Sequence, residues 1–137
     1  MNKLTVQERE KMLDKAYEAM EKAYTPYSHF QVGACLKGAS GTYYLGCNIE
    51  SASYTPTNCA ERTAVFKAVS EGETAFQSIV IVCSGKNAAA PCGVCRQVLR
   101  EFCADDMPVV FADAKRNVTE STLGKLLPHS FGPEDLL

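Results

Sequence analysis

Between Ser78 and Ser84 the chain reads S-I-V-I-V-C-S, an unbroken apolar run dominated by β-branched residues. A run of that kind is a strand buried on both faces, and in a small α/β protein this means a central strand covered by helices. The chain has 137 residues and is 46% hydrophobic, enough for one domain, spanning 1–137, to bury a core without disulfide staples.

The rest of the chain is read outward from that strand. Thr5 and Glu8 have the spacing of a capping box, and Leu4, Met12, Ala16, Ala19, Met20 and Ala23 lie near one helical stripe, predicting a first amphipathic helix that ends near Tyr24. Pro26 forces Thr25 out of helical geometry, so T-P-Y-S-H-F is a loop. Q-V-G-A-C-L-K-G and T-Y-Y-L-G-C-N-I-E, separated by the turn signal A-S-G, predict an antiparallel hairpin with Asn48 and Glu50 at its far end. A helix is expected from Cys59 to a C-terminal stop at Gly72, and a second opening at Pro91, a residue tolerated at a helix start. P-V-V-F-A-D is a further strand, N-V-T-E-S-T holds a turn and a short strand, and L-G-K-L-L gives a helical turn before an irregular tail. The β-β-α-β-α-β order predicts a mixed sheet sandwiched between helices, with chemistry at the helix starts that follow strands.

The cysteines sharpen this expectation. There are seven, an odd number, and the N-terminus carries charges where an export signal needs an apolar run. Reduced thiols, metal ligation or catalysis, and a cytoplasmic location, are therefore expected rather than a disulfide framework. No stretch approaches the length of a membrane span. The net charge of −2 is not gathered into a basic stripe, which disfavours a nucleic-acid partner.

Cys92 and Cys95 lie one helical turn apart and can point at one metal ion; by itself the C-x-x-C spacing serves equally a redox pair or a buried structural pair. Cys59, at the start of the other helix, supplies a third thiolate and leaves one tetrahedral position for water, the mark of a catalytic zinc. Both helix starts aim positive partial charge at the sulfurs. Three thiolates leave a zinc site with net negative charge, and Arg62, beside Glu61, and Arg96, beside Cys95, are placed to donate hydrogen bonds to sulfur. Glu61, two residues after Cys59, suits a proton shuttle whose pKa burial raises; equally, Asn58 to Glu61 fits a helix cap with a third-position glutamate. Cys35, Cys47, Cys83 and Cys103 read as small buried hydrophobes, and neither His29 nor His129 has ligand spacing to the cysteines.

C-A-E at Cys59 to Glu61 followed by P-C-x-x-C from Pro91 to Cys95 resembles the cytidine deaminase family, whose zinc signature includes a three-cysteine form. F-x-V-G-A from Phe30, G-C-N-I-E from Gly46, C-A-E-R-T-A from Cys59, P-C-G-x-C-R-Q from Pro91 and the S-F-G-P-E-D-L tail extend the likeness to the small homotetrameric branch over nearly the whole chain. The resemblance implies a three-layer α/β/α sandwich around a mixed sheet of about five strands. It implies one zinc per subunit and hydrolysis of cytidine and 2′-deoxycytidine to the uridine products with release of ammonia, a step of pyrimidine salvage. Glu61 would protonate N3 of the base and carry a proton to the departing ammonia. Asn48 and Glu50 would contact the ribose hydroxyls, the backbone N–H of Ala60 the base, and Phe30 the flat ring. Tyr54 would lie near the 5′-hydroxyl, and Phe131 would come from a neighbouring subunit of a homotetramer. Three other functions remain open on sequence: deamination of a cytosine antibiotic such as blasticidin S, a structural zinc module, and editing of a polymer, for which the chain shows no basic track.

Overall fold

The computed structural model of the chain describes residues 4–137; Lys3, one of the charges read against an export signal, lies outside the described residues. The elements run α1 (Val6–Met20), β1 (Val32–Gly38), β2 (Tyr43–Cys47), α2 (Ala60–Ser70), β3 (Phe76–Cys83), α3 (Gly93–Phe102), β4 (Pro108–Ala112), β5 (Val118–Thr122) and α4 (Leu123–Leu126), with a single 3-10 turn at Pro133–Asp135. The sheet order is β2-β1-β3-β4-β5, which sets the β-branched run in the middle. Only β3 and β4 run parallel, joined by α3 as the crossover helix, and the other pairs are antiparallel, so the sheet is mixed as expected.

Strand alternation divides the core into two layers. Cys35, Val80, Val82, Val110 and Ala112 meet Met12, Leu13 and Ala16 of α1 on one face. Ala34, Leu36, Ile79, Ile81 and Val109 meet Ala60, Ala64, Val65, Ala68 and Leu99 of α2 and α3 on the other. A glycine permits the close approach on each side. A Cβ at Gly33 would lie 2.1 Å from the carbonyl oxygen of Ala16, and one at Gly46 would lie 2.3 Å from that of Ala60. Gly46 therefore lets the first turn of α2 rest on β2. Among the described residues no helix is long and apolar enough to cross a membrane.

Several boundaries differ from the sequence reading, each for a physical reason. Thr5 caps α1 by accepting from the Glu8 N–H at 3.1 Å, but the Glu8 carboxylate accepts from the Tyr43 hydroxyl and pairs with Lys37 at 2.9 Å. Half of the capping box is therefore given over to holding α1 on the hairpin. The helix stops at Met20, four residues before Tyr24, because Tyr24 is drawn into a bridge with Ile49. Cys92, not Pro91, is the N-cap of α3, accepting from the Cys95 N–H at 3.4 Å and leaving the proline one residue outside the helix. Cys35, Cys83 and Cys103 are buried, whereas Cys47 is half-exposed because it ends the edge strand β2.

Candidate active site

One end of the sheet collects the groups of interest. Register pairs the start of β1 at Val32 with the end of β3 at Cys83, Gly33 with the end of β2 at Cys47, and Val82 with the end of β4 at Ala112. The connections leaving this end carry both helix starts, which is where open α/β sheets form ligand sites. Ile49 fixes the approach to α2. Its N–H donates to Asn58 O and its carbonyl accepts from the Asn58 N–H, both at 2.9 Å, while Tyr24 bonds to Asn48 and Glu50 on either side of it. Asn48 and Glu50 are thereby held beside the residue that precedes Cys59.

Cys59 is the N-cap of α2 and Cys92 that of α3, so the sulfurs of Cys59, Cys92 and Cys95 converge from two helix starts. The Sγ atoms of Cys92 and Cys95 are 3.3 Å apart and those of Cys59 and Cys92 are 3.9 Å apart, with all three within 4.8 Å of one another. These spacings are far beyond a disulfide bond. They bracket the separation of about 3.8 Å that two thiolates have on a tetrahedral zinc with bonds of about 2.3 Å. The donor set fits zinc, and among the described residues these three are the ones brought together in this way. A redox C-x-x-C pair gives no reason for a third thiol from another helix.

The electrostatics favour thiolate at Cys59. Its pKa is lowered, first by the neighbouring Cys95 thiol and then by the Arg62 guanidinium, against the opposing cost of burial. Cys95, fully buried and beside that sulfur, is pushed up by Cys59 and by burial. Arg62 Nη2 lies 3.2 Å from Cys59 Sγ, and this contact raises the arginine's own pKa. Its Nε is buried without a partner among the described residues, so part of the guanidinium's desolvation is uncompensated.

Glu61 is 5% exposed, and burial raises its pKa, with the Cys59 charge adding to the effect. The capping explanation for this glutamate does not survive. The N-cap is Cys59 rather than Asn58, so Glu61 is the second helical residue, and the Asn58 amide donates to Thr63 Oγ1 at 3.1 Å instead of capping a turn. In a carboxyl group held in this way, two residues from Cys59 and next to Arg62, burial favours the protonated form. Ala60, the first helical residue, has an N–H with no intrahelical partner.

The remaining predicted residues separate into two groups. Asn48 uses Oδ1 to accept from the Val32 N–H at 2.9 Å and Nδ2 to donate to the Phe30 carbonyl at 2.8 Å, leaving one N–H and one lone pair. Glu50 accepts from the Tyr27 and Ser28 N–H groups at 3.0 and 3.2 Å and from the Ser28 hydroxyl, which holds its pKa below the usual carboxylate range. Tyr27, Ser28, Glu50, Tyr54 and Thr57 line a cleft of about 420 Å³, a size suited to a small ligand. Tyr54 stands 74% exposed on its rim, with φ at +63°. Phe30, half-exposed, lies over Gly85, where a Cβ would come within 2.9 Å of its ring.

Two residues lie apart. Arg96 does not reach a sulfur: its Nε donates to Pro91 O and its Nη1 to Leu126 O, both at 2.7 Å. The two carbonyls on its own side of α3 outcompete the cysteines, so its predicted contact with thiolate is corrected. Phe131 is on the C-terminal segment, half-exposed, with its carbonyl accepting from Gln97 Nε2 at 2.8 Å. Sequence reasoning missed Ser28, which fixes both Glu50 and, through its Oγ, the Phe30 N–H at 3.0 Å. It also missed Gln97 and Arg100, whose partners are some thirty residues away and leave no local signal.

Known proteins provide an independent view of this arrangement. Residues 6–111 match the family described as the cytidine and deoxycytidylate deaminase zinc-binding region. The chain is 50% identical over 127 residues to the cytidine deaminase of Sporosarcina psychrophila, covering 93% of each chain. It is 46% identical over 129 residues to that of Halalkalibacterium halodurans, covering 94% of this chain and 98% of the relative. The crystal structure of cytidine deaminase from Burkholderia pseudomallei superposes with a TM-score of 0.86 at 42% identity, over 89% of this chain and 98% of that one.

Proposed function

The chain belongs to the cytidine and deoxycytidylate deaminase family, and on that footing we propose that it hydrolyses cytidine and 2′-deoxycytidine to uridine and 2′-deoxyuridine, releasing ammonia. The observation that carries this reading is the convergence of three sulfurs from two helix starts beside a buried glutamate. Zinc held by Cys59, Cys92 and Cys95 would supply a Lewis acid that makes water nucleophilic near neutral pH. Glu61, its pKa raised by burial, delivers a proton to N3 of the base and returns one to the leaving amine. Arg62 draws charge off Cys59, offsetting the excess negative charge of three thiolates.

The free N–H of Ala60 is a donor for the base, and Phe30 offers a face for the flat ring. Asn48 and Glu50, each with hydrogen-bonding capacity left over, take the sugar hydroxyls, and Tyr54 stands at the 5′ side of the same cleft. The exposure of Phe131 supports its donation to the site of another subunit in a homotetramer. The chain acts on a free nucleoside in the cytoplasm, with no nucleic-acid or membrane partner, and functions as a single catalytic domain.

The test is loss of absorbance near the cytosine band when zinc-loaded protein meets cytidine, with blasticidin S and the Glu61→Ala variant alongside. Turnover of cytidine, abolished in Glu61→Ala with zinc retained, is the expected result. Zinc-replete protein inert on every cytosine compound would leave a structural zinc module as the reading.

A further inference from the structure

The segment after α4 has little apolar burial with which to hold itself. Phe131, Leu136 and Leu137 are 51%, 83% and 102% exposed. What fixes it is a row of polar side chains on α3. Arg96 Nη1 donates to Leu126 O at 2.7 Å, Gln97 Nε2 to Phe131 O at 2.8 Å, and Arg100 Nε to Ser130 Oγ at 2.8 Å, while Arg100 Nη2 pairs with Glu134. Arg96 and Arg100 are one turn apart, beside the face on which Cys95 and Leu99 are fully buried. The row therefore stands on a helix that cannot roll.

Gly132 fits this row by shape. A Cβ there would lie 2.4 to 2.6 Å from three atoms of the Arg100 guanidinium. Its φ of −145° is open to any residue, so what the glycine accommodates is the guanidinium's position, which a Cβ would displace, and not a backbone conformation. The Gly132 N–H donates to Asp135 Oδ2 at 2.8 Å, closing the tail on itself.

We propose that Arg100 and Gln97 are positioning residues that lock residues 130–134 onto α3, so that the Phe131 ring is presented outward in one orientation to a pyrimidine nucleoside held by a second copy of the chain. The inference rests on the reading of Phe131 given above. Because α3 begins with Cys92 and ends beside this clamp, one rigid helix relates the sulfur cluster of a subunit to the aromatic that it lends. Releasing the clamp leaves the ring to be ordered only on binding, which appears as weaker substrate affinity, roughly three- to tenfold in KM.

The experiment compares full-length, zinc-loaded Arg100→Ala, Gly132→Ala, their double variant and Phe131→Ala by cytidine kinetics and by amide exchange over 129–137. Arg100→Ala is expected to raise KM by that factor, with kcat within about twofold, and to speed exchange in the tail. Gly132→Ala should do the same alone and add nothing in the Arg100→Ala background, where the obstructing guanidinium is gone. Phe131→Ala raising KM while Arg100→Ala and Gly132→Ala leave it unchanged would overturn the clamp and spare the reading of Phe131. An unchanged KM in Phe131→Ala would overturn that reading, and the inference with it. Additive effects in the double variant, or loss of kcat and zinc in Arg100→Ala, would reduce Arg100 to a structural residue and sink the proposal.

Discussion

The two cysteine-bearing helices begin alike and do different work. At the start of α2, Cys59 caps the helix without a side-chain cap bond, Arg62 turns back to its sulfur and Glu61 is buried beside it. At the start of α3, Cys92 is exposed and accepts a capping bond from the Cys95 N–H, while Arg96 turns away to two carbonyls. Each helix has an arginine in its first turn or just after it, Arg62 three residues after Cys59 and Arg96 directly after Cys95, yet among the described residues only Arg62 touches sulfur. The sulfur–guanidinium contact and the buried carboxyl group are both on α2, whereas α3 supplies two of the three clustered sulfurs and spends its remaining polar groups on architecture.

The largest effect that would sharpen this contrast is at Glu61. Glu61→Gln should lower kcat by about 10² to 10⁴ with zinc content unchanged, measured by turnover and metal analysis. Zinc lost together with activity would return the glutamate to a structural role. Next come the arginines: Arg62→Gln should lower zinc affinity or activity about 10- to 100-fold in a chelator competition. Arg96→Gln should leave zinc affinity within a few-fold and lower stability by roughly 1–3 kcal/mol in urea unfolding, because two carbonyls lose a charged donor. Equal effects on zinc from the two variants would break the division between the helices. Removal of zinc by a chelator should lower the unfolding midpoint of the wild type, since the metal ties α2 to α3. An unchanged midpoint would mean that packing alone holds the helices together.

The smallest effect lies on the other face of the sheet and gives a baseline away from both helix starts. The Tyr43 hydroxyl and then Lys37 hold the Glu8 pKa below its ordinary value. The stability this contributes is fully present above the unfolded value of about 4.3 and fades as pH falls through the folded value. Wild type and Glu8→Gln, both zinc-free, should therefore differ in urea midpoint at pH 7, and the gap should close as pH falls below the unfolded value and through the lower folded one. A constant gap would mean that the contact is steric rather than ionic.

What could be read from the sequence follows the range of each interaction. The central strand, the hairpin and both helix starts were legible because hydrophobic pattern, turn residues and caps act within a few positions. Cys59, Cys92 and Cys95 were legible because metal geometry constrains residue type as well as spacing. Arg96 was misjudged because sequence adjacency to Cys95 does not say which way a long side chain turns. The end of α1 was misjudged because a bridge to Ile49, twenty-five residues on from Tyr24, decides it. Ser28 and the α3 clamp were invisible for the same reason: their partners lie far along the chain.

The paired bonds between Ile49 and Asn58 carry a consequence for how such a molecule can change. They pinch residues 50–57 into a loop whose two ends are already joined, so its length and composition can vary without transmitting a displacement to the backbone beyond Asn58. The rim of the cleft behaves as an exchangeable cassette, while the position of Cys59 is set outside it. A lineage can revise which molecules it admits, residue by residue, without having to reinvent the chemistry behind the door.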